Sequence, residues 1–362
     1  MPNRLIAALA ERLRPHVNLG KSRLDTLCLL IVGTLGARTV NLGHVATERG
    51  GTALVASTYR RLQRFFQFVT LGEDWSVPLL AAMIGGGPWT LALDRTAWKI
   101  GRKEVNFLVL AAVTKRFRVP LFWTLLPGAG NSSTKVRIRL VRRYLAHFPA
   151  TSVRVLLADR EFIGAAWQKF LCDNNVPFAI RLRETMRVTD ESGRDLTLGA
   201  WLHRAGRGRS FRARIGSRED AEKTGAPMLT IVVKRLEGEW LIVATNLSAR
   251  TGLDAYRRRW RIECLFAQAK TRGLNLEDTR LTCPRKLALL MAIVALALAW
   301  AARAAADPLG PPKPARKAHG YLAQSHFRVG FDWLRHCLRS DPLKAISPWR
   351  VLPKPPQKPG VV

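Results

Sequence analysis

The pattern of apolar and polar positions divides the chain into a helical first part and a second part that alternates strands with helices. Residues 1–80 are predicted to be mostly helical, because apolar residues recur there at helical spacing. Within this part, residues 24–35 form an apolar stretch of helical length. Residues 57–66 place arginines on one face and aromatic residues on the other. The first part is therefore expected to be a small helical region.

Beyond a glycine-rich turn at residues 85–88, the pattern changes to short apolar runs of strand length. Strands are predicted at residues 89–93, 106–113, 119–126, 153–158 and 178–182, and helices at residues 134–148 and 162–173. The run 153–158 is apolar except for Arg154, which is typical of a buried strand. Three strands followed by helix, strand, helix and strand is an α/β order, and also that of an RNase H-like core.

The remaining pattern indicates an insertion, two helices and a basic end. Glycine-rich turns separate strand candidates at residues 210–215, 228–234 and 240–245, which predicts a small antiparallel β insertion. Helices are predicted at residues 249–272, 284–306 and 324–338, followed by a mobile end from Pro348. The predicted regions are 1–84 (helical), 85–185 (first core part), 186–247 (β insertion), 248–306 (second core part) and 307–362 (basic C-terminal region).

Composition points to a folded protein with a polyanionic partner. The chain has 362 residues, enough for two or three domains, and 48% of them are hydrophobic, so a substantial core is expected. The formal net charge is +33, which is typical of proteins that bind nucleic acid with salt-dependent affinity. A generally solvated basic surface and an acidic membrane surface are the alternatives. The apolar run 287–300 is too short to span a bilayer comfortably and is predicted to be a core helix.

Cysteine usage and the N-terminus indicate a cytoplasmic protein. The five cysteines have no CxxC spacing, and their odd number argues against a disulfide framework. The first residues contain an early acid, Glu11, and no cleavable apolar segment, so no signal peptide is predicted. We therefore expect a reducing cytoplasm.

Three carboxylates stand in settings that suit metal chemistry. Asp94 and Asp159 each follow an apolar run and are predicted to lie at the ends of buried strands. Glu263 lies on the predicted helix 249–272, which is rich in arginine. Converging carboxylates repel each other unless a cation lies between them, and such hard oxygen ligands suit magnesium or manganese. In so basic a chain, a nucleic-acid phosphodiester is the expected substrate.

Glu263 and three other polar residues share one face of the predicted helix. Tyr256, Arg259, Glu263 and Lys270 are spaced at i, i+3, i+7 and i+14, which brings a phenol, a guanidinium, a carboxylate and an ammonium into line. A solvated ion-pair face, in which Glu263 simply pairs with Arg259, is the alternative. The two aspartates at predicted strand ends favour a functional interpretation.

At this point the sequence resembles a known family. The pattern Tyr-x2-Arg-x3-Glu-x6-Lys, read from residue 256 to residue 270, resembles the signature of bacterial insertion-sequence DDE transposases of family four, the group that includes the transposon-five enzyme. Residues 93–101, with Asn106, resemble the first-aspartate region of that family, and residues 158–162 resemble the second. The acids occur in the order Asp, Asp, Glu, and the resemblance covers roughly residues 55–305.

The resemblance implies roles for individual residues. Asp94, Asp159 and Glu263 match the catalytic triad, which would bind two divalent cations, Mg or Mn, for phosphoryl transfer. Tyr256, Arg259 and Lys270 match DNA-binding residues that hold phosphates near the transposon end.

Further DNA contacts are expected outside the Tyr-Arg-Glu-Lys pattern. In the family, a tryptophan at the position of Trp240 stacks on a flipped base during hairpin formation, whereas a core tryptophan at a strand start is the alternative. In the helical region, the glycine turn at residues 50–51 is compatible with a helix-turn-helix DNA reader, and Arg60, Arg61 and Arg64 are the predicted DNA contacts.

The sequence therefore predicts a DNA transposase with an α/β fold: an RNase H-like catalytic core, an antiparallel β insertion and an N-terminal helical DNA-binding region. It would bind double-stranded DNA at terminal inverted repeats, cleave the element ends and join them to target DNA, with a homodimer in the synaptic complex. A P-loop motif is lacking, so no nucleotide cofactor is expected, and no membrane association either. The alternatives are a metal-dependent nuclease on the same core and a non-catalytic DNA-binding protein derived from a transposase.

Overall fold

The computed structural model describes residues 2–205, 210–318 and 320–352. The α-helices of these residues are α1 (Pro2–Leu13), α2 (Lys21–Ala37), α3 (Leu42–Thr47), α4 (Val55–Phe68), α5 (Val77–Ile84), α6 (Thr134–His147), α7 (Ala165–Asp173), α8 (Leu198–Ala205), α9 (Arg218–Thr224), α10 (Ala249–Tyr256), α11 (Trp260–Ala269), α12 (Pro284–Ala304) and α13 (His326–Ser340). The strands are β1 (Trp89–Ile100), β2 (Lys103–Val113), β3 (Arg118–Leu125), β4 (Val153–Ala158), β5 (Phe178–Arg181), β6 (Arg187–Asp190), β7 (Asp195–Thr197), β8 (Ser210–Ile215), β9 (Leu229–Arg235) and β10 (Trp240–Thr245). Short 3₁₀ segments occupy Ala150–Ser152, Leu276–Asp278 and Pro342–Val351.

All of these strands belong to one mixed sheet. Their order across the ten-stranded sheet of the described residues is β3-β2-β1-β4-β5-β10-β9-β8-β6-β7. Strand β2 is antiparallel to both β1 and β3, whereas β4 runs parallel to β1 and β5 runs parallel to β4. This α/β arrangement is consistent with the predicted RNase H-like core.

Strand β1 is longer than the predicted strand 89–93, and this changes the setting of Asp94. Pairing with β4 ends where Leu93 lies opposite Ala158, but pairing with β2 continues as far as Ile100. Asp94 therefore lies within β1, at the point where the neighbour on one side is lost. The expectation that Asp94 ends its strand is wrong, because the β1–β2 hairpin extends beyond the parallel part of the sheet.

The segment predicted as a β insertion continues the central sheet. Its last strand, β10, pairs antiparallel with β5, and Val243 lies opposite Arg181. Strand β9 is antiparallel to both of its neighbours, β8 and β10, in agreement with the antiparallel pairing that the glycine-rich turns predicted. Two helices in this segment, α8 and α9, were not predicted. Both helices are short, and α9 begins at a serine cap, Ser217, that accepts a hydrogen bond from the Asp220 amide.

The N-terminal helices and the apolar helix α12 contribute to one hydrophobic core. Helix α12 has the length and composition of a membrane span, yet 89% of its most apolar window is buried inside the protein. Its burial agrees with the prediction of a core helix. Arg285, in its first turn, donates to the carbonyl oxygens of Phe66, Gln67 and Val69, which fixes the end of α4 against α12.

The structure differs from two predictions of where an element begins, one after β4 and one near the C-terminus. Helix α7 begins at Ala165 rather than at residue 162. The end predicted to be mobile from Pro348 is ordered as far as the description reaches, because Trp349 is fully buried and packs edge-on against Trp300. The Trp300 indole also donates to the Ala345 carbonyl at 2.9 Å. Residues 353–362 of the predicted basic C-terminal region lie outside the described residues.

Candidate active site

The strand register places Asp94 and Asp159 beside each other. Leu93 and Ala158 are partners in the parallel pairing of β1 and β4, and each aspartate is the next residue of its chain segment. Neighbouring strands lie about 4.8 Å apart. The Asp94 carboxylate accepts a hydrogen bond from the Arg95 amide at 2.8 Å, and the Asp159 carboxylate accepts one from the Arg160 amide at 2.7 Å. Both side chains are half-buried, so they face a partly enclosed site.

Arg259 joins these two aspartates to Glu263. Its Nη2 atom lies 2.7 Å from Glu263 Oε1, and its Nη1 atom lies 3.8 Å from Asp94 Oδ2. Burial lowers the pKa of Arg259, but the nearby Tyr256, Asp159, Glu263 and Asp94 outweigh burial and raise it overall. The guanidinium is therefore a counter-cation that all three predicted acids share.

The environment of Asp94 disfavours its charged form. Burial raises the pKa of Asp94 from 3.8 to about 6. The Arg95 amide and the Arg259 charge oppose this shift, whereas the negative charges of Glu161 and Asp159 add to it. A further cation beside this carboxylate would stabilise its charged form.

This raised pKa predicts a pH-dependent effect of Asp94→Asn on stability. Because the folded pKa exceeds the unfolded one, the contribution of Asp94 is fully present below pH about 4 and is lost as the pH rises through about 6. In EDTA, the variant should therefore be more stable than wild type at pH 8, by on the order of 2 kcal/mol, and equally stable at pH 4. Thermal unfolding at both pH values checks this, with Glu104→Gln on β2 as an exposed control. A difference that did not change with pH would contradict it.

The Tyr-Arg-Glu-Lys residues do not lie on one continuous helix. Helix α10 ends at Tyr256 and α11 begins at Trp260, so the predicted single helix 249–272 is wrong. The break makes Arg259 the N-cap of α11, next to the first aspartate, and Lys270 caps the C-terminal end of the same helix. The site is thus assembled from two short helices.

Lys270 lies against β1, whereas Tyr256 lies close to Arg259. The Lys270 ammonium donates to the Ala97 carbonyl at 2.8 Å and lies 2.8 Å from Glu277 Oε1. Tyr256 is buried, and burial raises its pKa to about 12 despite the opposing charge of Arg259. Tyr256 therefore lies near Asp159, whereas Lys270 is held on β1 three residues beyond Asp94.

Residues that flank the acids brace the strands. Arg95 and Glu161 form two parallel contacts, at 2.6 and 2.7 Å, which tie β1 to the loop after β4. Trp98 stacks on Phe107 at 5.8 Å between ring centroids, and it lies beneath the Lys270 ammonium. Side chains of this kind beside the acids could either brace the strands or contact DNA, and for Arg95 and Trp98 this geometry favours bracing. The bracing role of Glu161 was missed, because its partner is distant in the chain.

Trp240 lies at the same edge of the sheet as the acids, two strands beyond β4. It begins β10, it is half-buried, and the Arg235 guanidinium lies 5.4 Å from the centre of its ring. Strand β10 runs antiparallel to β5, so its first residues lie beyond the C-terminal end of β5, where β4 also ends.

The three N-terminal arginines differ in their surroundings. Arg60 and Arg64 are exposed on the same face of α4. Arg61 points to α2, where it donates to the Thr26 hydroxyl and to the Ser22 carbonyl, both at 2.7 Å. A DNA contact by Arg61 stays a prediction, and its present bonds support it less than the exposure of Arg60 and Arg64 supports theirs.

Comparison with known proteins identifies the family. Residues 85–300, more than half of the chain, match the family described as Transposase DDE domain. The chain belongs to this family of DDE transposases. All three predicted acids and the Tyr-Arg-Glu-Lys residues lie within the part of the transposase that matches.

The comparisons with individual proteins add little to this assignment. The transposase is similar to a chain in a structure described as a cryo-EM structure of the piggyBac transposase synaptic complex with hairpin DNA. The identity is 11%, the TM-score is 0.42, and the similarity covers 100% of this chain and 82% of the other. A likeness at this level carries no further conclusion. The sequence matches no curated protein.

Transposases of this family use divalent metal ions, and the chemistry of the site fits them. Asp94, Asp159 and Glu263 offer the hard oxygen donors that Mg²⁺ prefers, and they already converge on one cation, Arg259. As positioned, no three acids, histidines or cysteines of the described residues are close enough together to hold an ion.

Proposed function

We propose that this protein is a DNA transposase of insertion-sequence family four, related to the transposon-five enzyme. It would bind the terminal inverted repeats of its element, cleave the element ends and join them to target DNA. The observation that carries the proposal is the adjacency of Asp94 and Asp159 on parallel strands, with Arg259 linking them to Glu263. This arrangement lies inside a matched transposase domain.

In this proposal, Asp94, Asp159 and Glu263 are the metal ligands. Two divalent cations, Mg or Mn, would supply Lewis acidity to activate water or a 3′-hydroxyl and to stabilise the leaving 3′-oxygen. The strand backbone fixes Asp94 and Asp159, because each sits where hydrogen bonding between β1 and β4 ends. Glu263, in the first turn of α11, can approach or withdraw by a small movement of that helix.

Tyr256, Arg259 and Lys270 are proposed to hold DNA phosphates beside the cleaved bond. Arg259 and Lys270 carry the positive charge needed for this role, and both lie within reach of the acids or of β1. In the protein without DNA they donate to Glu263 and to the Ala97 carbonyl. Engaging phosphates would exchange these partners for the substrate, which couples DNA binding to release of the carboxylates.

The remaining assignments extend the same proposal. Residues 1–84 form the helical DNA-binding region, 85–185 and 248–306 the catalytic core, 186–247 the β insertion and 307–362 a basic C-terminal region. A homodimer in the synaptic complex is proposed, because two ends must be cut and joined together. A cytoplasmic location is proposed as well; all five cysteines are free thiols, which suits a reducing compartment.

Trp240 is proposed to stack on a base that leaves the helix during hairpin formation. Replacing it with alanine should leave first-strand nicking intact and slow the hairpin step, because stacking on an aromatic ring contributes about 1–3 kcal/mol per base. Gel analysis of nicked and hairpin products over time measures both steps, and Trp240→Phe should largely restore the second. Equal loss of both steps would reassign Trp240 to the core, against which it already packs.

The proposed function is tested by a cleavage assay on the DNA that borders the gene of this protein. Purified protein is mixed with that duplex and a target plasmid, in Mg²⁺ or in EDTA. A Mg²⁺-dependent 3′ nick at one boundary, followed by joining of that end to the plasmid, is the expected result. Nicks without joined products would favour a nuclease, and boundary binding without cleavage would favour a non-catalytic DNA-binding protein.

A further inference from the structure

A groove separates one face of α4 from the segment that leads from α11 to α12. Its volume is about 1060 Å³, large for the surface of this protein and open to solvent. One wall carries Tyr59, Arg60 and Arg64 of α4, and the other carries Arg280 and Lys286. Arg280 and Lys286 belong to neither the Tyr-Arg-Glu-Lys pattern nor the predicted N-terminal DNA contacts.

The groove has an unbalanced positive charge. In the part of the chain that the structure describes, no carboxylate lies within ion-pair distance of Arg60, Arg64, Arg280 or Lys286. The lining holds one acid, Asp278, which accepts a hydrogen bond from the Thr39 hydroxyl at 2.6 Å, so the cations outnumber it four to one. An excess of cations on both walls of a groove gives it a positive potential that attracts a polyanion.

Packing of the helices does not account for these cations. The opposite face of α4 supplies the core contacts, since Leu62 and Phe65 are buried there. The two walls are joined chiefly by Arg285, whose guanidinium donates to three backbone carbonyls at the end of α4, and Lys286 adds one longer bond, 3.3 Å to the Gln67 side chain. Arg60, Arg64 and Arg280 are exposed and take no part in that fastening.

The groove is connected to the acids by a short series of contacts. Asp278 and Glu277 belong to the 3₁₀ segment Leu276–Asp278, and the Glu277 carboxylate holds the Lys270 ammonium at 2.8 Å. Lys270 in turn donates to the carbonyl of Ala97, three residues beyond Asp94 on β1. An elongated anion in the groove therefore lies against the same segment that positions Lys270.

We infer that this groove binds the sugar-phosphate backbone of duplex DNA outside the cleavage site, with Arg280 and Lys286 as phosphate contacts opposite Arg60 and Arg64. The inference rests on the proposed function. Arg60 and Arg64 are one helical turn apart, about 6 Å along the axis, so they contact different phosphates. The concave shape admits a backbone strand between its walls. A small anion would engage only part of a charge distribution that covers both walls.

The experiment is fluorescence anisotropy with a labelled duplex of the bordering DNA, at several salt concentrations in EDTA, where cleavage does not occur. Each lost phosphate contact should lower the slope of log K against log salt by about 0.9. Arg280→Ala and Lys286→Ala should each do so and weaken binding several-fold. Arg280→Lys, which keeps the charge, and Lys223→Ala, which removes an exposed charge on α9, should keep the wild-type slope.

Unchanged slopes in both alanine variants would overturn the inference, as would an equal decrease in Lys223→Ala. Because the cleavage assay is separate, the two proposals can fail separately. Unchanged slopes together with Mg²⁺-dependent cleavage and joining would overturn only the inference that the groove binds DNA. Lowered slopes without cleavage by wild-type protein support the groove and overturn the transposition chemistry.

Discussion

Alanine in place of Asp94, Asp159 or Glu263 is expected to lower Mg²⁺-dependent cleavage by about a thousandfold or more. Asp94 and Asp159 are adjacent through the β1–β4 register, and Glu263 reaches them through Arg259. Removing any one leaves too few oxygen donors to hold two cations between the scissile phosphate and its nucleophile. The measurement is the initial rate of nicking at the element boundary, with each variant at saturating Mg²⁺.

The effect on binding distinguishes chemistry from folding. Affinity for the duplex in EDTA should be retained in all three variants, because losing a negative charge removes no phosphate contact. Glu104→Ala is the matched control, since Glu104 is an exposed carboxylate on the same hairpin as Asp94, and it should cleave at the wild-type rate. If the three alanine variants kept Mg²⁺-dependent cleavage, the assignment of the acids would be wrong.

Gly330→Ala should destabilise the protein by about 3 kcal/mol or more. Gly330 lies in α13 where that helix crosses α12, and a Cβ atom there would stand 1.8 Å from the Ala301 carbonyl oxygen and 2.9 Å from the Ala305 amide nitrogen. Both neighbours are backbone atoms of buried residues, Ala301 in α12 and Ala305 at its C-cap, so neither can move cheaply. In a helix without such neighbours, the same substitution would stabilise the protein by up to about 1 kcal/mol. The sign of the change in the free energy of unfolding therefore reports whether α12 and α13 are in close contact.

Urea unfolding measures this difference, and the chain offers a matched control. Gly72→Ala adds the same methyl group at a site with no atom within 4 Å of the new Cβ, and it should change the free energy of unfolding by less than about 0.5 kcal/mol. Equal effects of the two substitutions would show that α12 and α13 do not approach this closely.

The local pattern of apolar and polar residues predicted those core elements whose formation depends on residues close by in the sequence. Strand β4 was predicted with its observed bounds, because a run of apolar residues between turn signals is determined by the chain next to it. The continuation of β1 beyond Asp94 was not predicted. Residues 94–100 mix charged and apolar side chains, and only pairing with β2 makes them a strand.

The break between α10 and α11 shows why the candidate site could be predicted only in part. No glycine or proline marks residues 257–259, which are three arginines, so the helical period continues through them unchanged. Arg259, at the break, has one local contact, Glu263 four residues on, and one distant contact, Asp94 on β1. A periodicity argument includes only the first of these contacts.

By itself, the sequence determined the order of the three acids, the large positive charge, the buried apolar helix and the resemblance to DDE transposases. These properties reside in residue types and short spacings. Only the tertiary structure decided that Asp94 lies beside Asp159, that the predicted insertion joins the central sheet, and that Arg280 and Lys286 face α4 across a groove. The reason is that strand register and helix packing minimise the free energy of contacts between distant segments, which no local window of sequence contains.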